Sequence, residues 1–108
     1  MVWKAELADE TKNFWVFEVK GKKYDILKSQ LAGAVQNLYF WLTESGSNNF
    51  SSKLYDLLAK ADSENFEKLF NGFPVRTIAY MLWFYSADKT VLFEKYGDFK
   101  ADESDTLD

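Results

Sequence analysis

Residues 65–86 read NFEKLFNGFPVRTIAYMLWFYS and carry most of the large apolar side chains that a protein core needs. Apolar residues recur at three- and four-residue steps on both sides of a Gly72-Phe73-Pro74 break, which is the spacing of two amphipathic helices. We expect Gly72 to take the left-handed position that ends the first helix and Pro74 to occupy the first turn of the second. This stretch therefore predicts two helices joined by a sharp break.

The second of these helices, predicted over residues 74–87, is apolar on almost every side. Its polar face is reduced to Arg76, Thr77 and Tyr80. Such a helix lies either at the centre of a domain or in an interface with a partner. The chain is also 19% aromatic, more than a core of this size needs, and aromatic and arginine side chains dominate interface cores. The candidate interface residues are Tyr80, Trp83, Phe84 and Arg76.

The N-terminal part of the chain favours β-structure. Residues 14–19 are rich in aromatic and β-branched side chains, and a turn separates them from a second such run at residues 23–27. Residues 2–8 alternate loosely and are either an edge strand or an irregular start, and a polar break follows from Asp9. The expected hairpin has one apolar face, formed by Trp15, Phe17, Val19, Tyr24 and Ile26.

Two registers of this hairpin are possible. A Lys20-Gly21 turn places Glu18 opposite Lys23, whereas a Gly21-Lys22 turn places Lys20 opposite Lys23. Like charges directly opposite each other are unfavourable, so we predict the first register.

The middle of the chain predicts further helices. One spans residues 29–44 and ends at a run of turn-forming residues over 45–49. A second starts near Ser51, and Asp62 is a suitable N-cap for a third. Residues 90–93 are a candidate strand that would return to the hairpin, followed by residues 94–98 as a turn, and the sequence leaves open whether they join the sheet. The inner face of the second helix is predicted to contain Leu54, Leu57, Leu58 and Ala61, with Phe50 at its entrance.

Composition excludes several kinds of chemistry. The chain has no cysteine and no histidine, so disulfides, thiol nucleophiles, the usual zinc sites and imidazole catalysis are absent. The sequence shows no phosphate-binding glycine loop and no nucleophile motif. We therefore predict a protein that is not an enzyme and that has no cofactor and no metal. No apolar run is long enough to cross a membrane, and a cytoplasmic location is expected.

The net charge of −4 is concentrated at the C-terminus. Residues 98–108 contain five acids and one lysine and carry this whole charge, so residues 1–97 are formally neutral. We expect residues 1–97 to form one globular α+β domain and residues 98–108 to be a disordered acidic tail.

Two nucleic-acid roles stay open as alternatives. Trp15, Lys20, Lys22 and Lys23 combine an aromatic ring with positive charge, as single-stranded nucleic-acid sites do. The neutral body lacks a basic footprint, so nucleic acid is a less favoured partner than protein. The acidic tail could instead imitate phosphates and inhibit a host defence protein that binds nucleic acid.

Four parts of the chain carry a resemblance to known proteins: Lys60-Ala61-Asp62, Asn65, Gly72-Phe73-Pro74 and Phe93-Glu94-Lys95-Tyr96-Gly97. In these residues the chain resembles small uncharacterised proteins encoded by bacteriophages and prophages. The resemblance covers approximately residues 35–97, and it implies an accessory phage gene expressed in a bacterial cytoplasm. No catalytic residue is implied.

Taken together, these observations predict an α+β fold in which an N-terminal hairpin, with or without additional edge strands, packs on three to four helices. The predicted function is a non-catalytic protein-binding module of phage origin. It would act through its aromatic surface, either by self-association or by capture of a host protein.

Overall fold

The computed structural model describes residues 3–44 and 49–97. It confirms the α+β class, with a three-stranded antiparallel sheet followed by five helices within the described residues. Residues 45–48 of the predicted loop and the predicted acidic tail lie outside the described residues. The elements are β1 (Glu6–Glu10), β2 (Phe14–Val19), β3 (Lys22–Leu27), α1 (Lys28–Thr43), α2 (Phe50–Lys60), α3 (Ser63–Gly72), α4 (Pro74–Phe84) and α5 (Lys89–Gly97).

The β2–β3 hairpin has the predicted register. Glu18 pairs with Lys23, and the turn is formed by Lys20 and Gly21. Both turn residues have positive φ, 49° for Lys20 and 81° for Gly21, as two-residue turns of the I′ type require. The left-handed backbone conformation costs a lysine about 1 kcal/mol in steric strain, a cost that glycine avoids because it has no Cβ.

The third strand, β1, lies at the edge of the sheet and pairs with β2. It continues through Asp9 to Glu10. The prediction of a polar break from Asp9 is therefore wrong at its first two residues. All five residues of β1 are exposed, and its acidic side chains are of the kind that protect an edge strand from aggregation. The other face of the sheet is buried through Trp15, Phe17, Val19 and Ile26.

Helix α1 is the centre of the helical layer and contacts α2, α4, α5 and β3. Leu31, Val35 and Leu38 on its inner faces are completely buried. The phenol of Tyr55 in α2 donates a hydrogen bond of 2.7 Å to the backbone carbonyl of Ala34. Helix α1 therefore organises the helices around it.

The inner face of α2 differs from the prediction. Leu54 and Leu58 are buried, but Leu57 is 56% exposed and Phe50 57% exposed. Tyr55 is completely buried in their place. At about 100° per residue, Leu54, Tyr55 and Leu58 lie within about 100° of one another around the helix, and Leu57 falls about 60° outside this arc.

The junction between α3 and α4 is partly as predicted. Asp62 caps α3, because its carboxylate accepts a 2.9 Å hydrogen bond from the backbone N–H of Asn65. Pro74 occupies the first turn of α4. The prediction for Gly72 is wrong: among the described glycines the positive φ belongs to Gly21, and α3 is closed instead by Phe73 with a φ of −139°.

The end of the described chain is helical, so the candidate strand at residues 90–93 does not form. Asp88 accepts hydrogen bonds from the backbone N–H groups of Thr90 and Val91, at 3.0 and 3.3 Å, and so caps α5. Phe93 is completely buried, with its ring 5.2 Å from that of Tyr39 on α1. Helix α4 also ends at Phe84 rather than at residue 87.

Candidate functional site

Aromatic rings gather at the C-terminal end of α4. We call Trp41, Trp83, Phe84 and Tyr85 the aromatic surface. The ring of Trp83 lies 5.8 Å from that of Trp41, and the ring of Phe84 lies 5.1 Å from that of Tyr85. Phe84 is 44% exposed and Tyr85 39% exposed, whereas Trp41 and Trp83 are half-buried. Two of the predicted interface residues, Trp83 and Phe84, therefore lie at the end of α4, each beside another aromatic ring, and the ring of Phe84 is well exposed.

Tyr80, the third predicted interface residue, lies beneath this surface. Only 3% of it is exposed, and its ring packs 5.6 Å from Trp83 and 6.2 Å from Phe84. Burial raises the pKa of the Tyr80 phenol. Tyr80 thus supports the exposed rings and offers almost no area of its own.

Polar contacts hold the half-buried tryptophans in place. The indole N–H of Trp41 donates a 2.9 Å hydrogen bond to the carboxylate of Asp56. The ammonium group of Lys89 donates to the backbone carbonyls of Trp83 and Ser86, and it lies 5.1 Å from the centre of the Trp83 ring. Partial burial lowers the pKa of Lys89. These contacts close the end of α4 and hold Trp41 and Trp83 in place.

A groove of about 240 Å³ lies beside Phe84. Phe84 and Tyr80 form one part of its lining, and Ala59, Ala61 and Asp62 from the α2–α3 junction form another. The groove therefore combines aromatic and small apolar side chains with the polar groups of Asp62 and Ser63. It could accept a small apolar side chain while Phe84 contacts the surrounding surface.

Arg76, the fourth predicted interface residue, lies elsewhere. It is half-buried near the start of α4, where its Nε donates a 3.0 Å hydrogen bond to Ser51 Oγ. Its guanidinium lies 5.9 Å from the centre of the Phe50 ring, which in turn contacts Phe73. Eight residues of helix separate Arg76 from Phe84, a distance of about 12 Å. The structure does not bring Arg76 into the aromatic surface.

The residues predicted to contact nucleic acid are divided between two ends of the sheet. The Lys20 ammonium lies 3.9 Å from the centre of the Trp3 ring, and Lys20 and Lys22 border a groove beside α3. Trp15 lies at the opposite end of β2, about 16 Å away along the strand. Lys23 is exposed in β3, with Glu18 as its cross-strand neighbour.

A different set of lysines surrounds Trp15. A cleft of about 540 Å³ between the sheet, α1 and α5 is lined by both charged and aromatic side chains. We call it the basic cleft. The sequence does not predict this set, because no local pattern links residues 12, 28 and 95. The lining residues used below are Lys12, Phe14, Trp15, Lys28, Lys95 and Tyr96.

Within the described ranges there is no group of three or more acidic, cysteine or histidine residues that could hold a metal ion. In the same part of the chain, no helix has both the length and the apolar character needed to cross a bilayer.

Comparison of the chain with protein-family models gives no match, and searches of curated proteins and of solved structures find no significant similarity. The resemblance to phage-encoded proteins therefore stays a prediction. The proposals below rest on the geometry of the described residues.

Proposed function

We propose that this protein is a non-catalytic binding module that recognises another protein through the aromatic surface. The observation that carries the proposal is the position of Phe84, which is 44% exposed and lies directly beside this groove. Exposed aromatic residues next to a pocket are the usual anchors of protein interfaces. The partner would cover Phe84 and Tyr85 and insert a small apolar side chain into the groove.

The rigidity of the aromatic surface supports this role. Trp41 is held by Asp56, and Lys89 binds the carbonyl end of the helix that carries Trp83. Side chains that are already fixed lose little conformational freedom when a partner binds, and this reduces the entropic cost of association. The charged groups of Asp56 and Lys89 would then lie at the polar edge of the contact.

Two kinds of protein partner fit such a surface. One is a second copy of this chain, in which the same patch meets itself across a two-fold axis. The other is a host protein, which is the role that the resemblance to phage accessory proteins implies. Both are tested by changing the same residue.

The test uses Phe84→Ala, with Phe40→Ala as the matched control. Phe40 is 48% exposed on α1, so the two changes remove similar exposed rings. Sedimentation velocity over a range of concentrations measures self-association. Affinity capture from a bacterial lysate, followed by binding measurements with each captured protein, measures capture of a host protein. Loss of a central anchor ring is expected to weaken the complex about tenfold or more, whereas Phe40→Ala is expected to leave it unchanged.

The proposal fails if the wild-type protein is monomeric at every concentration and captures the same proteins as Phe84→Ala. It also fails if Phe40→Ala weakens binding as much as Phe84→Ala does. Thermal melting of both variants checks that any loss does not come from unfolding.

A further inference from the structure

The basic cleft brings together three lysines from three separate parts of the fold. Lys12 comes from the β1–β2 connection, Lys28 is the first residue of α1, and Lys95 lies in the last turn of α5. No carboxylate from the described residues lines the cleft. The cleft is therefore a locally positive region on a chain whose net charge is negative.

The positive charge of the cleft is only partly balanced. The ammonium groups of Lys28 and Lys95 lie 4.5 and 5.9 Å from the centre of the same ring, that of Trp15. Lys28 forms a 2.6 Å ion pair with Glu10. Lys12 and Lys95 have no ion pair with any described residue. An anion between these lysines would relieve the repulsion of like charges that now converge on one ring.

The start of α1 adds to this field. Helix α1 begins at Lys28, and Leu27 before it has no side chain able to cap the helix. The first turn contains no acidic residue, and Ser29 lines the cleft. The positive end of a 16-residue helix and a lysine thus lie together, an arrangement that favours a bound anion. The lysines from the other two elements define the site, and the helix strengthens it.

The cleft also offers an aromatic contact. Phe14 is 37% exposed and lines the cleft, whereas Trp15 and Tyr96 are almost buried beneath the ammonium groups. The exposed face of Phe14 is therefore the ring on which a planar group could stack. Stacking of a base on an aromatic side chain beside positive charge is the usual way in which proteins hold unpaired nucleotides. The volume of the cleft is within the range of small-ligand sites.

We propose that the basic cleft binds a nucleoside phosphate. The phosphate lies among the ammonium groups of Lys12, Lys28 and Lys95, and the base stacks on Phe14. The ligand is either a free nucleotide or a nucleotide of a single-stranded nucleic acid, since both present the same chemistry. The basic cleft shares no residue with the aromatic surface, so this site is independent of the protein-binding role.

The test is a titration of the isotope-labelled protein, followed by two-dimensional NMR, with four probes. These are adenosine 5′-monophosphate, adenosine, inorganic phosphate and a short single-stranded oligodeoxynucleotide. The signals to follow are the backbone amides of Ser29 and Lys95 and the indole N–H of Trp15. The titrations are repeated with Lys12→Gln/Lys95→Gln and with the control Lys53→Gln/Lys68→Gln. Both double variants change the net charge equally, and all four lysines are exposed.

We expect saturable shifts in the basic cleft with adenosine 5′-monophosphate, with the oligodeoxynucleotide, or with both. Binding by the mononucleotide identifies a free nucleotide as the ligand, and binding by the oligodeoxynucleotide alone identifies a nucleic-acid strand. Each charge-assisted contact to phosphate should contribute about tenfold in affinity, so Lys12→Gln/Lys95→Gln should bind at least that much more weakly. The control variant should bind like the wild type.

Three results would overturn the proposal. The first is the absence of saturable shifts with both nucleotide probes at millimolar concentration. The second is that adenosine alone, or inorganic phosphate alone, binds as tightly as adenosine 5′-monophosphate. The phosphate or the base, respectively, would then contribute nothing to binding. The third is an equal loss of affinity in the two double variants, because the effect would then come from net charge alone.

Discussion

The hydrogen bond from Tyr55 to α1 allows a quantitative test of how α1 organises the helices. Tyr55 is completely buried, and its hydroxyl donates to the backbone carbonyl of Ala34 at 2.7 Å. Tyr55→Phe removes the donor and keeps the ring. The carbonyl of Ala34 lies inside α1 and retains its own helical hydrogen bond, so no buried group is left without a partner. The expected loss is therefore that of one neutral hydrogen bond, about 1 kcal/mol in the free energy of unfolding.

Tyr55→Ala should cost much more, because it also removes the ring that packs 5.6 Å from Trp41. Replacement of a buried aromatic residue by alanine costs about 3–5 kcal/mol. Tyr24→Phe is the matched control, since Tyr24 is half-buried and its hydroxyl bonds to none of the described residues. We expect that change to lie within about 0.5 kcal/mol of the wild type.

Urea denaturation followed by circular dichroism gives these free energies, and thermal melting gives a second measure. In a chain of this size, a loss of 1 kcal/mol lowers the melting temperature by about 4–8 °C. The reasoning is refuted if Tyr55→Phe is as stable as the wild type, or if it is as unstable as Tyr55→Ala. Either result would mean that the hydroxyl does not link α2 to α1 as the geometry indicates.

Three further predictions concern stability. Burial raises the pKa of Tyr55 above its ordinary value of 10.0, so the unfolded chain releases this proton first. The contribution of Tyr55 to stability should therefore be constant below about pH 10 and fall above it. Denaturation across an alkaline pH series should show a less steep loss of stability in Tyr55→Phe than in the wild type. Asp62→Ala should lower the free energy of unfolding by about 1 kcal/mol, because the N–H of Asn65 loses its cap, and an unchanged urea midpoint would contradict this. Gly21→Ala should lower the free energy of unfolding by about 1–2 kcal/mol, because the φ of Gly21 is positive. Gly33→Ala should raise it by about 0.5–1 kcal/mol, because Gly33 lies in α1 with open space around it. Melting temperatures of the two variants that move in the same direction would contradict this pair of predictions.

Local interactions account for the features that the sequence predicts well. The turn at Lys20 and Gly21 depends on charges directly across the hairpin. The cap by Asp62 and the start of α4 at Pro74 depend on groups within one helical turn. In each of these cases the partner lies within a few residues, so a short window of sequence contains the information.

The end of the chain shows where local propensity misleads. Residues 90–93 contain β-branched and aromatic side chains, which favour a strand. Asp88 is a local cap signal that favours a helix, and burial of Phe93 against Tyr39 stabilises that choice. Packing against α1 therefore outweighs a weak preference for β-structure, and a strand at this position could not place Phe93 in the same way.

The sequence does not show which residues of the candidate sites are exposed, because their exposure depends on contacts with distant parts of the chain. The aromatic helix could be recognised from its composition, but composition does not say which side neighbouring helices cover. The structure buries Tyr80 and exposes Phe84, two residues of the same apolar run. Arg76 lies with Phe50 because α2 passes the start of α4, a contact that no spacing within α4 indicates.

The sequence by itself determined the fold class, the hairpin register, the cap of α3 and the apolar character of residues 78–85. These features follow from periodicity and from contacts between residues close in the chain. Only the tertiary structure decided which rings of that stretch meet solvent, and only it brought Lys12, Lys28 and Lys95 around Trp15. The physical reason is that exposure and charge convergence depend on how distant elements pack, and the packing of α1 and α5 on the sheet joins residues that share no local pattern.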